Sequence, residues 1–271
     1  MFGRGKRWGI RCHRMIQAWV WGDVPTGFKK FSPNRRRMVL VREGLERSLA
    51  AEKFFTQREG EKGASPFHGR GRLRFFHLDN GETALVRTYR HGGLLRHVTG
   101  DCFFTWPPRP FRELAITAEV SRRGVPTLEI LAAWVERLNG PFYRGWLMTR
   151  ELKGADDLWV ALQSEYYAEN DRGPLLQAVA RGIRRMHDQG IYHGDLNLKN
   201  IMVRREGGRV VSYIIDFDKA ELFSREVPVG KAERNLRRLL RSVCKLDPDR
   251  RHLSPEAWDL FLGFYREANA G

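Results

Sequence analysis

The sequence predicts an α+β fold in two unequal lobes, a small strand-rich N-lobe followed by a helical C-lobe. Three observations predict it. The chain has 271 residues, 42% apolar and 11% aromatic, which suffices for a sizeable core and excludes a disordered or fibrous chain. Short apolar segments bounded by turn residues concentrate before residue 152. Beyond that point apolar residues mostly recur at helical spacing. The expected division is a basic amphipathic leader at 1–21, a β-rich N-terminal lobe at 22–152, and a helical C-terminal lobe at 153–271.

Each element follows from local chemistry. Trp8, Cys12, Met15, Ile16 and Trp19 share one helical face, with Arg11, Arg14 and Gln17 off it. A basic helix with tryptophans on its apolar side resembles an interfacial membrane anchor. The other readings are a helix docked on the fold, or an upstream extension from a start site placed too early, with Met15 the alternative start. Residues 38–43 (MVLVRE) read as a strand, and the polar, Gly-containing 56–66 as a loop. Residues 72–78 and 83–90 read as two strands joined by Asp79-Asn80-Gly81, a hairpin turn sequence. Pro110 opens a helix with Phe111, Leu114, Ala115 and Ala118 inward, and Gly124 closes it. Residues 146–152 read as a buried strand.

In the C-lobe, Pro174 starts a helix with Leu175, Leu176, Val179, Ile183 and Met186 on one face, stopped by Gly190. Short apolar segments follow at Ile201–Val203 and Tyr213–Ile215. The tail is helical twice more: Leu236, Leu239, Leu240 and Val243 form one apolar stripe. Ser254-Pro255 then leads into Trp258, Phe261, Leu262 and Tyr265.

Lys+Arg total 48 against 32 Asp+Glu, a net charge of +16. Residues 1–37 hold ten of the bases and one acid, so more than half the excess sits there. Such charge attracts an anionic partner: nucleic acid, an acidic membrane face or a phosphorylated small molecule. Charge alone does not choose among them. Cys12, Cys102 and Cys244 are sparse and form no CxxC pair, which argues against a disulfide framework or structural zinc and fits a reducing cytosol. No apolar run approaches bilayer-spanning length, and no secretory signal is read at the N-terminus.

The strongest motif is His193-Gly194-Asp195-Leu196-Asn197-Leu198-Lys199-Asn200, followed by Ile214-Ile215-Asp216-Phe217-Asp218. A carboxylate, an amide five residues on, and a second carboxylate after a strand suit phosphoryl transfer. One carboxylate orients the attacking hydroxyl, while the amide and the second carboxylate are hard oxygen ligands for Mg²⁺ on nucleotide phosphates. These parts resemble the protein-kinase-like superfamily, HGDLNLKN standing where H-R-D-x-x-x-x-N would be and IIDFD where D-F-G would be. The resemblance implies a protein-kinase-like two-lobe fold. It also implies Asp195 as the catalytic residue, Asn200 and Asp216 as metal ligands, and ATP and Mg²⁺ as cofactors.

Weaker partners stand upstream. Gly69 and Gly71 precede the hairpin and suit a backbone passing close over phosphates. Arg87 stands where the superfamily carries a lysine, and Glu113 where its pairing acid is expected. Lys199 and Asn197 are candidate contacts to the transferred phosphate, or structural residues of the loop. Backbone near Glu151–Lys153 is the expected adenine hinge. Two departures matter: Arg87 differs from lysine in reach and geometry, and Asp218 replaces the glycine after Asp216-Phe217, with no A-P-E following. A peptide-binding activation segment is therefore not expected, and a small or lipid-linked acceptor is.

The set GRGRLRFF, VRTYRHGG, RPFRE, YHGDLNLKNIMV, IIDFDKAEL and ERNLRRLLRSVCKL is similar to the lipopolysaccharide core kinases, most of all to their 3-deoxy-D-manno-octulosonic acid (Kdo) branch, over residues 22–268. That resemblance implies ATP-dependent phosphorylation of a Kdo hydroxyl on Kdo-lipid A. The expected location is cytoplasmic, peripheral on the inner face of the inner membrane, with an anionic membrane surface as partner and no nucleic acid. The basic stretch Arg90, His91, Gly92, Gly93 and Arg96 is either an acceptor-side anion site or a solvated loop. Two alternatives within kinase chemistry are a core heptose kinase and an ATP-dependent kinase of another small molecule or of an RNA-associated protein. A non-enzymatic alternative is a pseudokinase whose charge serves nucleic acid or membrane, and the intact Asp195, Asn200 and Asp216 argue against it.

Overall fold

The structure is a computed structural model and describes residues 24–50, 73–89, 102–105, 107–167 and 172–268. The expectations placed on 1–21, on the 56–66 loop, on Gly69 and Gly71, and on Arg90 through Arg96 lie outside these residues. The chain divides into two compact units. One takes the described residues up to Ala118 together with Glu129–Glu151; the other takes Glu119–Leu128 and the chain from Leu152 onward.

The first unit is built on a six-stranded antiparallel sheet: β1 (Phe28–Asn34), β2 (Arg37–Arg42), β3 (Leu73–His77), β4 (Thr83–Thr88), β5 (Ile130–Arg137) and β6 (Tyr143–Arg150), in the order β1-β2-β5-β6-β4-β3. Side chains alternate across it into two cores. Leu40, Ala133 and Val135 join Phe28, Tyr89, Phe111, Leu114 and Leu147 on one face. Val39, Val41, Ala132 and Trp134 join Ala84, Val86 and Met148 on the other. Because both faces are covered, residues 130 to 135 are all buried, and β5 reads as an unbroken apolar run rather than an alternating one. The 79–81 hairpin forms, with Gly81 at φ +76°. A short helix, α1 (Glu46–Ala50), follows β2.

Helix α2 (Arg109–Arg122) starts beside Pro110, which packs against Gly145 of β6. A Cβ on Gly145 would lie 2.5 Å from the proline ring, so the glycine is what admits the helix start. Phe111, Leu114, Ile116 and Val120 are buried, and Gly124 ends the helix at φ +75°.

The second unit contains β7 (Asp156–Asp157), α3 (Leu158–Gln163), α4 (Arg172–Asp188), β8 (Ile191–Tyr192), β9 (Ile201–Glu206), β10 (Arg209–Ile214), β11 (Glu221–Leu222), α5 (Val229–Leu246) and α6 (Pro255–Glu267). Helix α4 buries the five apolar residues expected of it. It packs on β10, where Gly182 lies against Ser212, whose hydroxyl donates to the Ala178 carbonyl at 2.9 Å. Gly190 stops α4 at φ +70°. Ser254 caps α6 by accepting from the Ala257 N–H, with Pro255 in the first turn. The buried stripe of α5 is Ala232, Asn235, Leu239 and Val243, so Leu236 and Leu240, expected inside, are only half-buried. The stripe is rotated because its centre is polar. Among the described residues, no helix is long and apolar enough to cross a membrane.

Candidate active site

The loop after β8 and the turn after β10 are tied together by hydrogen bonds from the His193 ring and the Asn200 carbonyl to Ile215. His193 is fully buried. Its Nδ1 accepts the Asp195 N–H at 3.1 Å and its Nε2 lies 2.8 Å from the Ile215 carbonyl. One nitrogen accepts and the other donates, so the ring is neutral. Burial, the dominant cause, pushes its pKa down and keeps it so. The Phe217 ring lies 5.0 Å from the imidazole. Gly194 is required: a Cβ there would sit 2.1 Å from the Lys219 carbonyl oxygen, which explains a glycine between the histidine and the aspartate.

Asn197 and Asn200 both donate to the Asp195 carbonyl, at 2.8 and 2.9 Å. Asn197 spends its other end accepting the Lys199 N–H at 3.0 Å. Of the two readings open for Asn197, the structure therefore supports the structural one. Asn200 is held by its nitrogen, so the side-chain oxygen of that amide is the atom it could offer to a ligand. The Ile215 N–H donates to the Asn200 carbonyl at 3.0 Å, coupling the loop to the residue before Asp216.

Asp216 adopts the left-handed conformation, φ 67° and ψ 63°, which non-glycine residues adopt at a cost. It caps the turn Phe217–Lys219 without using its carboxylate for the cap. Phe217 and Asp218 of that turn are buried, so the residue replacing the expected glycine is packed inside. Lys199 is exposed.

Sequence reasoning did not find the groups on the Asp195 carboxylate. Arg238 Nη1 donates to Oδ1 at 3.0 Å and Lys219 Nζ lies 3.4 Å from Oδ2. It also missed the support beneath. The Asn235 side chain is fully buried; it accepts the His193 N–H at 3.1 Å and donates to the His193 carbonyl. His187 Nε2 donates to the same Asn235 oxygen, and His187 Nδ1 accepts from the Tyr265 hydroxyl at 2.7 Å. Burial lowers the His187 pKa to about 4. The available signal was an asparagine at a core position of a helix otherwise read as an apolar stripe.

In the first unit, Arg87 and Glu113 meet as expected. Arg87 Nη2 contacts both carboxylate oxygens, at 2.6 and 2.5 Å, with Glu113 only 3% exposed. Tyr89, which sequence reasoning did not single out, donates its hydroxyl to Glu113 and lies under the Arg87 guanidinium, 5.0 Å from the ring centre.

The donor set near Asp195 suits a hard divalent ion. Asn200 offers a carbonyl-type oxygen and Asp216 a carboxylate, while no group of three or more His, Cys, Asp or Glu able to hold a metal occurs among the described residues. Mg²⁺ fits such a pair, because it keeps waters and takes its remaining ligands from substrate phosphates. Zinc, which favours closed nitrogen and sulfur sets, does not.

Comparison with known proteins bears on the family of the chain. Residues 55–265 match the lipopolysaccharide kinase (Kdo/WaaP) family model. The 3-deoxy-D-manno-octulosonic acid kinase of Xylella fastidiosa is 33% identical over 187 residues, 67% of this chain and 70% of that protein. The enzyme of the same name from Photobacterium profundum is 33% identical over 217 residues, 78% of this chain and 86% of its own. Among solved structures, WaaP in complex with acyl carrier protein superposes with a TM-score of 0.55 at 17% identity, covering 84% of this chain and 88% of that one. That likeness shows a shared fold.

Proposed function

This chain belongs to the lipopolysaccharide kinase (Kdo/WaaP) family, and we propose that it transfers the γ-phosphoryl group of ATP to a hydroxyl of Kdo on Kdo-lipid A. The observation that carries this reading is the Asp195–Asn200–Asp216 arrangement, intact in a chain one-third identical to Kdo kinases over most of its length.

In the proposed step the acceptor hydroxyl donates to the Asp195 carboxylate, which aims its oxygen at the γ-phosphorus. The new bond forms between that oxygen and phosphorus, the bond to the β–γ bridging oxygen breaks, and ADP leaves. The hydroxyl proton passes to Asp195 and then to solvent. Asn200 and Asp216 would hold Mg²⁺, which when bound neutralises charge on the β- and γ-phosphates. Arg87, whose guanidinium Glu113 and Tyr89 fix, is assigned as a contact to nucleotide phosphates. Positioning and charge neutralisation dominate such chemistry. Gly69, Gly71 and Lys199 are assigned as further phosphate contacts, and backbone near Glu151–Lys153 as the adenine hinge.

A glycolipid acceptor puts the reaction at a membrane face. We assign the protein as peripheral on the cytoplasmic side of the inner membrane, with the basic residues of 1–37 against anionic lipid. The test is ATP- and Mg²⁺-dependent phosphate incorporation into Kdo-lipid A compared with heptosylated core. Label in Kdo supports the assignment; label only in heptose overturns it.

A further inference from the structure

Helix α5 presents three polar side chains at i, i+3 and i+7 to one loop, and each grips a different point of it. Asn235 takes both backbone groups of His193. Arg238 takes the Asp195 carboxylate at 3.0 Å. Ser242 accepts the Leu198 N–H at 3.2 Å. The spacing places all three on the side of the helix that also buries Leu239, so the loop is held against a rigid element.

The middle member differs from its neighbours. Asn235 and Ser242 hold backbone, whereas Arg238 holds the reactive group itself. A carboxylate that is 40% exposed on a loop has rotamer freedom, and reaction with an acceptor hydroxyl demands one orientation. Within the loop, Asn197 and Asn200 are committed to the Asp195 carbonyl rather than to its carboxylate. Lys219 stands at the other carboxylate oxygen at 3.4 Å, and with its side chain 62% exposed it is the looser of the two. Arg238 is only 36% exposed, and its Nε is buried without a hydrogen-bond partner. It therefore stays in place at a cost that an isolated surface ion pair would not carry.

We propose that Arg238 is a positioning residue for Asp195, holding the carboxylate in the one orientation that receives the acceptor hydroxyl. The inference rests on the kinase reading and on Asp195 as its carboxylate. It predicts a defect in turnover without a defect in nucleotide binding, because Arg238 acts through a group that touches the acceptor.

The experiment compares wild type, Asp195→Ala, Arg238→Met, Arg238→Lys and Arg238→Gly in phosphate transfer, with KM for ATP and the thermal midpoint measured alongside. Arg238→Met is expected to lower kcat on the order of 100-fold with KM for ATP within about twofold of wild type, comparable to loss of a well-placed catalytic contact. Arg238→Lys should recover part of that loss, and guanidinium ion should raise the turnover of Arg238→Gly. A folded Arg238→Met with wild-type kcat overturns the proposal, as does a change confined to KM for ATP. Should Arg238→Met lose its thermal transition, the guanidinium response of Arg238→Gly decides, and its absence overturns the proposal. Full activity in Asp195→Ala would instead sink the kinase assignment of that carboxylate, so the two failures are told apart.

Discussion

Gly194 and Lys219 approach so closely that a Cβ on the glycine would sit 2.1 Å from the lysine carbonyl oxygen. The obstacle is backbone, which has no flexible end to give way. Gly194→Ala must therefore push the 217–219 turn off the 193–200 loop, at a cost of about 2–3 kcal/mol by analogy with overpacked cores. Activity should fall further than stability, because the shift separates Asp195 from Asp216. Gly263→Ala is the control: it lies in α6 with nothing within 4 Å of the added carbon. It should be neutral or stabilise by about 0.5–1 kcal/mol. Chemical denaturation and a transfer assay on both variants read the contrast.

The 193–200 loop was legible in the sequence because its residues must be adjacent in the chain: Asn197 and Asn200 both bond the Asp195 carbonyl within five residues. Helix ends were legible for similar reasons, since Gly124 and Gly190 stop α2 and α4 through local backbone geometry. What escaped depends on distant packing. Strand β5 was not picked out, because burial on both faces removes the alternation that marks a strand. Strand β1 (FKKFSPN) was not picked out either, since its lysines are exposed on a strand at the end of the sheet. Arg238, Asn235 and Lys219 lie 24 to 43 residues from the groups they hold, and no spacing rule links them.

The Arg87–Glu113 pair tests how much a partly buried ion pair contributes to the first unit. Glu113 is 4% exposed at its side chain and Arg87 30%. Glu113→Ala leaves the guanidinium and the Tyr89 hydroxyl facing a buried void, and should cost about 2–4 kcal/mol. Glu113→Gln keeps the volume and an acceptor, so its cost should be about half that. Thermal or urea unfolding would reveal equal, negligible losses for both if the pair behaved as an ordinary surface contact.

Acid sensitivity should trace in part to His187. Its folded pKa of about 4 lies below the usual 6.5, with burial the main cause. Between those values the unfolded chain binds a proton that the folded one refuses, so stability rises with pH across that window. Lowering pH from 7 to 4 should therefore remove about 3 kcal/mol through this residue. The buried, neutral His193 acts in the same direction. His187→Gln retains groups able to meet Tyr265 and Asn235 but cannot titrate. The variant starts less stable at pH 7, and its deficit should shrink as pH falls. A deficit constant from pH 7 to 4 would exclude His187 as a contributor.

Asp216 separates stability from function. Its φ of 67° costs an L-residue about 1 kcal/mol that glycine does not bear. The turn it caps makes no use of its carboxylate as a cap. Asp216→Gly relieves this strain at the cost of greater unfolded freedom and of the carboxylate's own contacts, and should still fold. Asp216→Asn, whose side chain also tolerates this conformation, should fold equally well. Both lose the charged oxygen proposed for Mg²⁺. Both should lose transfer activity by orders of magnitude, along with the thermal stabilisation that ATP and Mg²⁺ confer together. Asp216→Ala gains neither compensation and should be the least stable of the three. The position is thus one where the backbone prefers glycine and the chemistry demands a carboxylate, and activity retained in Asp216→Gly would remove Asp216 from the metal site.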